Sequence, residues 1–203
     1  MLAICLDLEG VLIPEIWINV AERTGITALT RTTRDEPDYD RLMSYRLGIL
    51  DQNNIKMDDI TSTIGSMEPM EGATEFLASL ESRWPTLILS DTFSQFAKPM
   101  MKKLGNPTLL CHTLLIDDTG RIEDWKIRYD DHKRKTVDSL IEMNYQVIAA
   151  GDSYNDTSML SAASAGILFR PPQNVIEEFP QFPVAMDYSE LIDEIESAAT
   201  DLG

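Results

Sequence analysis

The sequence of 203 residues predicts an α/β sandwich with a mostly parallel sheet, and three observations lead there. Short apolar runs at residues 2–6, 86–89 and 146–150 each stop at polar or acidic residues, as buried parallel strands do where they reach a sheet edge. Segments with helical spacing separate the runs, and alternating strands and helices give a parallel sheet covered on its faces. No strand candidate stands between Ile13 and Pro85, so a helical block too long for a simple crossover follows the first strand.

The first run, Leu2-Ala3-Ile4-Cys5-Leu6, delivers Asp7 to the carboxyl edge of the sheet, where the turns leaving the strands open a ligand crevice. Glu9 follows two residues on, and Gly10 permits a sharp turn. Two carboxylates held this close repel each other unless a metal ion, a cation or a proton joins them. Pro14 then suits a helix start, with Ile16, Trp17, Val20 and Ala21 at helical spacing up to Gly25. Leu42, Met43, Leu47 and Leu50 mark a second helix and Met57, Ile60 and Ile64 a third, after a polar break at residues 30–37. Residues 14–71 are therefore expected to form a small helical cap, with 1–13 and 72–203 as the core.

A helix opening at Glu71-Gly72, with Phe76, Leu77 and Leu80 inward, returns the chain to that core. The second strand ends in Ser90-Asp91-Thr92, and Ser90 is expected to end it and open the helix of residues 93–104. Residues 109–116 and 122–127 flank Asp117-Asp118-Thr119-Gly120-Arg121, a β-hairpin and its turn. Lys133 begins a helix, residues 146–150 form a strand running into Gly151-Asp152-Ser153-Tyr154-Asn155-Asp156, residues 165–169 form another, and a helix over 191–199 closes the chain.

A formal net charge of −17 argues against a nonspecific grip on nucleic acid or an anionic membrane. No apolar run approaches membrane-spanning length, and the apolar start lacks the basic flank of a signal peptide. Cys5 and Cys111 sit in apolar runs, which suggests reduced, buried thiols in a cytoplasmic protein. His112 and His132 lack zinc-type spacing, so the sequence gives no support to a soft-metal site and leaves room for a hard, oxygen-ligated ion.

Asp7 and Glu9, then Ser90 and Asp91, then Lys133, then Asp152 and Asp156 form an ordered set over the whole core. This order resembles the haloacid dehalogenase superfamily of phosphotransferases, which implies a Rossmann-like sheet sandwiched by helices. A carboxylate such as Asp7 can attack phosphorus and split one hard displacement into two easier ones. The resemblance implies Mg²⁺ held by Asp7, the backbone carbonyl of Glu9 and Asp152, and a hard cation suits these oxygen donors. Ser90 would cradle phosphate oxygens with Asp91 beside it, Lys133 would neutralise the charge on Asp7 and the phosphoryl group, and Asp156 would hold the lysine. Glu9 would protonate the leaving alkoxide and later deprotonate the acceptor. Most members carry Asp-Gly-Thr where this chain has Glu9-Gly10-Val11, a departure that lengthens the acid's arm.

The segments at residues 7–17, 88–93, 107–112 and 149–156, and residues 177–183 near the end, are similar to a narrower group, the bacterial bifunctional phosphoserine phosphatase/homoserine phosphotransferases. That resemblance implies phosphoserine hydrolysis and phosphoryl transfer to homoserine. It places Glu15 on the substrate ammonium and Arg46 on its carboxylate, where a guanidinium pairs in bidentate fashion. Met43 and Asn155 are further pocket candidates. A phosphatase for another small phosphomonoester would keep Asp7, Ser90, Lys133 and Asp152 and change the cap. A receiver-type signalling domain would lack the helical insert, and a non-catalytic scaffold would be expected to lose one of Asp7, Glu9 or Asp152.

Overall fold

The computed structural model describes all residues except Thr33, Arg34 and Pro37, so that part of the expected polar break lies outside the described residues. Strands β1 (Leu2–Leu6), β2 (Thr86–Phe93), β3 (Thr108–Ile116), β4 (Ile122–Lys126), β5 (Gln146–Gly151), β6 (Ala165–Phe169) and β7 (Val184–Ala185) pair in the order β4-β3-β2-β1-β5-β6-β7. Every neighbouring pair is parallel except β3 and β4, which form the antiparallel hairpin. The continuous apolar run of β1 reflects this central place, because a strand covered on both faces has no polar side.

Side chains alternate between two cores. Ile4 and Leu6 of β1 with Ile148 and Ala150 of β5 enter the larger one, while Cys5, Val147 and Ala149 enter the smaller. The smaller core is closed by α6 (His132–Glu142) and α7 (Thr157–Ala162) through Val137, Leu140, Met159 and Leu160. The larger is closed by α4 (Ala73–Glu81), α5 (Ser94–Lys103) and α9 (Tyr188–Leu202). Helix α8 (Gln173–Glu178) contributes Val175 to the smaller core.

Between β1 and α4 lie α1 (Ile16–Thr24), a 3₁₀ turn (Thr27–Thr30), α2 (Tyr39–Gln52) and α3 (Met57–Gly65). Their apolar faces, with Val20, Met43 and Ile60 among them, continue the larger core. The hairpin tip fastens this segment at its far end. Asp117 accepts from the amides of Thr119 and Arg121 and shapes the turn. The turn then gives the Gly120 carbonyl to the Met57 amide at 2.8 Å, and Arg121 forks onto Asp51 at 2.7 and 2.6 Å. No helix among the described residues is long and apolar enough to cross a membrane.

Both cysteines are free; Cys5 is buried and Cys111, contrary to expectation, only half-buried, since β3 lies near the sheet edge. Burial pushes the Cys5 thiol up to about 12 and the Cys111 thiol up to about 11. Thiolate is the reactive form, so both should react slowly with iodoacetamide in the folded protein at mildly alkaline pH and readily after unfolding in guanidinium. Rapid native labelling of Cys5 would contradict this burial.

Candidate active site

The ends of β2, β1 and β5 lie side by side, and β1 is the strand from which the chain order departs in both directions. A crevice at the carboxyl ends of the strands is the expected ligand site at such a switch point. It is present here as a cleft of about 590 Å³. Asp7, Glu9, Ser90, Asp91, Lys133, Asp152 and Asn155 line it on the core side, and Glu15 and Arg46 on the side of the inserted helices. Met43 and Asp156 stand behind this lining. All eleven sequence-predicted residues thus converge, nine on the surface of the cleft and two in support.

Asp7 continues β1 by donating its amide to the Ala150 carbonyl at 2.9 Å. The chain then doubles back, with the Leu12 and Ile13 amides both on the Leu8 carbonyl. Gly10 has φ 78°, and a Cβ there would lie 2.5 Å from the Asp152 carboxylate. Glycine therefore lets this loop close down beside Asp152.

Lys133, only 3% exposed, places Nζ 2.8 Å from Asp7 Oδ1 and 2.8 Å from Asp156 Oδ1. Burial pulls its pKa down, but the charges of Asp156, Asp7 and Asp91 outweigh that and hold the ammonium well above its usual range. The other oxygen of Asp156 accepts from the amides of Asp152 and Ser153 at 3.0 and 3.2 Å. Asp156 is thus spent on the lysine and on the loop after β5. That packing leaves no room for a side chain at Gly151, whose Cβ would meet Asp156 at 2.4 Å.

Asp7, Asp152 and Asp156 bring carboxylate oxygens within 4.8 Å of one another. Burial and the charges of Asp156 and Asp152 push the Asp7 carboxyl well up, with Lys133 only partly offsetting them. Burial, then Asp156 and Glu15, push Asp152 up to about 7. One ammonium does not balance this density, and with Asp156 committed, Asp7 and Asp152 are the oxygens free to take a hard cation. The donor set fits a divalent ion of that kind.

Glu9 accepts the Ile16 amide hydrogen at 2.8 Å. Burial and the nearby Glu15 push its carboxyl up to about 8, so it carries a proton at neutral pH. Asp91 is held well below the usual carboxylate range: burial acts upward, but Lys133, His112 and His132 outweigh it.

Ser90 departs from expectation. It is buried inside β2, which runs on to Phe93 through a register shift against β3, and α5 starts only at Ser94. The bulge keeps residues 90–92 on the sheet edge, so Ser90 does not open the helix; its hydroxyl accepts from the Thr92 amide at 3.2 Å.

Across the cleft, Arg46 is 6% exposed and its guanidinium lies 4.5 Å above the Trp17 ring. One nitrogen donates to the Arg31 carbonyl at 2.9 Å, Nη1 touches Met43 Sδ at 4.0 Å, and Nε has no partner. Among the described residues no carboxylate pairs with it within ion-pair distance. Burial pulls its pKa down to about 10, which leaves it charged at neutral pH. Met43 is fully buried under this group and is core. Glu15 occupies the N-cap position just before α1 and is exposed, and Asn155 sits in the 3₁₀ turn Tyr154–Asp156.

Sequence reasoning missed Tyr39, whose hydroxyl donates to the Asp91 carbonyl at 3.2 Å from the first residue of α2. It also read Trp17 only as core, although the ring faces the cleft as well. The tyrosine follows an irregular polar stretch, where no periodicity marks a side chain that reaches another element.

No family model matches the sequence. The phosphoserine phosphatase ThrH of Pseudomonas aeruginosa is 57% identical over 187 residues, 92% of this chain and 91% of that protein. A phosphoserine phosphatase of Pseudomonas syringae pv. tomato is 55% identical, over 92% of this chain and 79% of its own length. A solved substrate-bound phosphoserine phosphatase shares the fold, with a TM-score of 0.77, 18% identity and coverage of 95% of this chain and 97% of that one. A solved phospho-aspartyl intermediate analogue of phosphoserine phosphatase superposes with a TM-score of 0.76 at 18% identity, over 95% and 97%. With Asp7, Lys133 and Asp152 gathered at the ends of β1, α6 and β5, and with relatives this similar over nearly its whole length, the chain belongs to the phosphoserine phosphatase family.

Proposed function

We propose that this chain is a Mg²⁺-dependent phosphoserine phosphatase that works through an aspartyl phosphate on Asp7 and can also pass the phosphoryl group to homoserine. The observation that carries the amino-acid part is Arg46, a buried guanidinium without a carboxylate partner, in the same cleft as Asp7. A largely buried cation with no ion-pair partner among the described residues is stabilised by an arriving anion. The substrate carboxylate is that anion, and the exposed Glu15 on the same wall receives the ammonium. A small phosphomonoester without a carboxylate would leave Arg46 unpaired, which disfavours the alternative reading.

In this scheme residues 14–71 act as the cap that sets specificity, and the core supplies the chemistry. One oxygen of Asp7 attacks phosphorus while the P–O bond to serine breaks, and the departing alkoxide takes the Glu9 proton. Lys133 stays on the other side of Asp7 and offsets charge as the phosphoryl group moves, with Asp156 holding the ammonium still. Ser90, Asp91 and Asn155 position the phosphate and the polar end of the substrate. Glu9, now ionised, takes a proton from the incoming water or homoserine hydroxyl, whose oxygen displaces Asp7 and yields phosphate or homoserine phosphate. Asp7, Asp152 and the Glu9 carbonyl would hold Mg²⁺, whose positive charge would offset the repulsion of a phosphate dianion by the carboxylates. The two free cysteines support a cytoplasmic setting.

The deciding experiment follows phosphate release from phosphoserine with Mg²⁺, with and without homoserine, while homoserine phosphate is measured. Diversion of phosphate into homoserine phosphate supports the full reading; cleavage of a generic phosphomonoester but not phosphoserine removes the Arg46 and Glu15 assignment. Asp7→Asn should reduce both reactions to background, and residual turnover above a few per cent of wild type would exclude Asp7 as nucleophile. Glu9→Gln should slow turnover about 10²–10⁴-fold. Arg46→Ala should raise KM for phosphoserine on the order of 10–100-fold, the loss of a charged hydrogen-bonded pair. Gly10→Ala forces a Cβ onto Asp152, so the Mg²⁺ concentration needed for half-maximal rate should rise about tenfold or more with the fold retained by circular dichroism.

A further inference from the structure

Beside Lys133 lies a group of side chains that the reaction above does not use as a unit. Asp91 on β2, His112 on β3 and His132, the first residue of α6, bring potential ligand atoms within 4.8 Å of one another. Both histidines are buried, His132 to 2% exposure. Two features mark the group. Among the described residues no well-formed hydrogen bond reaches either ring nitrogen of His132, although buried polar atoms nearly always have one. Asp91 Oδ1 also stands 3.2 Å from His132 Nε2 and 3.6 Å from His112 Nε2, within ion-pair range of both. Both lie near the ~3.3–3.4 Å edge of a tetrahedron whose ligands sit ~2.0–2.1 Å from a central zinc ion.

We propose that Asp91 Oδ1, His112 Nε2 and His132 Nε2 form a binding site for a first-row divalent transition-metal ion of the Zn²⁺ type, distinct from the hard-cation position at Asp7 and Asp152. Two imidazoles and one carboxylate are borderline donors that suit Zn²⁺ and Co²⁺ and select against Mg²⁺. Asp91 lines the cleft, so the fourth ligand position can be filled from solvent. The other carboxylate oxygen, Oδ2, faces Lys133 Nζ at 3.6 Å, so the bound ion would fix the carboxylate that the lysine sees. The site reverses the expectation from sequence spacing, because the fold rather than a local motif supplies the proximity.

Ligation has a local structural cost that makes it traceable. Nδ1 of His112 now accepts the Arg128 amide hydrogen at 3.3 Å, long for such a bond. Coordination through Nε2 puts the ring proton on Nδ1, which turns the Arg128 amide away. Arg128 lies in the irregular connection between β4 and α6 that leads directly to Lys133.

The test uses the full chain in saturating Mg²⁺, so that the acidic position is filled, and adds Zn²⁺ or Co²⁺ alone. Expected are one Zn²⁺ bound per chain by calorimetry, intense visible Co²⁺ absorption of a tetrahedral nitrogen-containing site, and a shift of the Arg128 amide resonance that Mg²⁺ does not produce. His132→Ala and His112→Ala should each weaken Zn²⁺ at least about tenfold, the order lost even for supporting partners of a ligand. Zn²⁺ affinity unchanged in His132→Ala, only the weak absorption of octahedral Co²⁺, or no uptake at all overturns the proposal. Should the variants fail to fold, the Co²⁺ spectrum of the unaltered protein decides alone. These readouts follow binding and not turnover, so they stand or fall apart from the phosphatase reading.

Discussion

The ammonium of Lys133, sealed from water between Asp7 and Asp156, is the interaction on which the rest of the site depends. Stripping an ammonium and two carboxylates of water costs several kcal/mol per ion, and only close, well-oriented contacts return it. Removing one partner of such a group costs about 3–5 kcal/mol because the others are left buried and uncompensated. The surrounding backbone is shaped accordingly. Helix α6 must begin where Lys133 reaches the end of β1, Gly151 must lack a side chain where Asp156 passes, and the amides of Asp152 and Ser153 complete the coordination of Asp156. One lysine still leaves the cluster negative, and this excess invites a divalent cation at Asp7 and Asp152.

The cleft has two walls of different character. The core wall is anionic apart from Lys133 and rests on three adjacent strand ends, so its geometry is as rigid as the sheet. The wall from the inserted helices presents Arg46, supported from below by Met43 and the Trp17 ring. That support belongs to the same continuous core that α4, α5 and α9 share, and the hairpin tip ties the far end of α2 through Arg121 and Asp51. The Arg46 guanidinium is therefore held in place by stacking and packing, with no ion pair to an acid among the described residues. Tyr39 adds a direct bond between the walls, from α2 to the end of β2.

Particular residues show where sequence reading worked and where it could not. Asp7 and Asp152 were legible because a buried apolar strand announces itself and the acid that ends it stands out, whereas Lys133 was legible only through its place in the ordered set of reactive groups. Ser90 was placed on the right sheet edge but given the wrong local role, because a β-bulge leaves no trace in hydrophobic alternation. Tyr39, His112 and His132 carried no signal, since their neighbours in space are far away in sequence.

By itself, the sequence determined the α/β class, six of the seven strands that form the sheet, the helical insert after β1 and the order of the reactive groups along the chain. These follow from local periodicity and from the free energy of burying apolar side chains, which each segment expresses alone. Only the tertiary structure decided which oxygen of Asp156 holds Lys133, that Arg46 has no carboxylate in ion-pair range among the described residues, and that Asp91 stands near two buried histidines. Those facts depend on distances of a few ångströms between β1, β2, β3, α2 and α6. Such distances are set by how whole elements pack, and no single stretch of the chain contains that information.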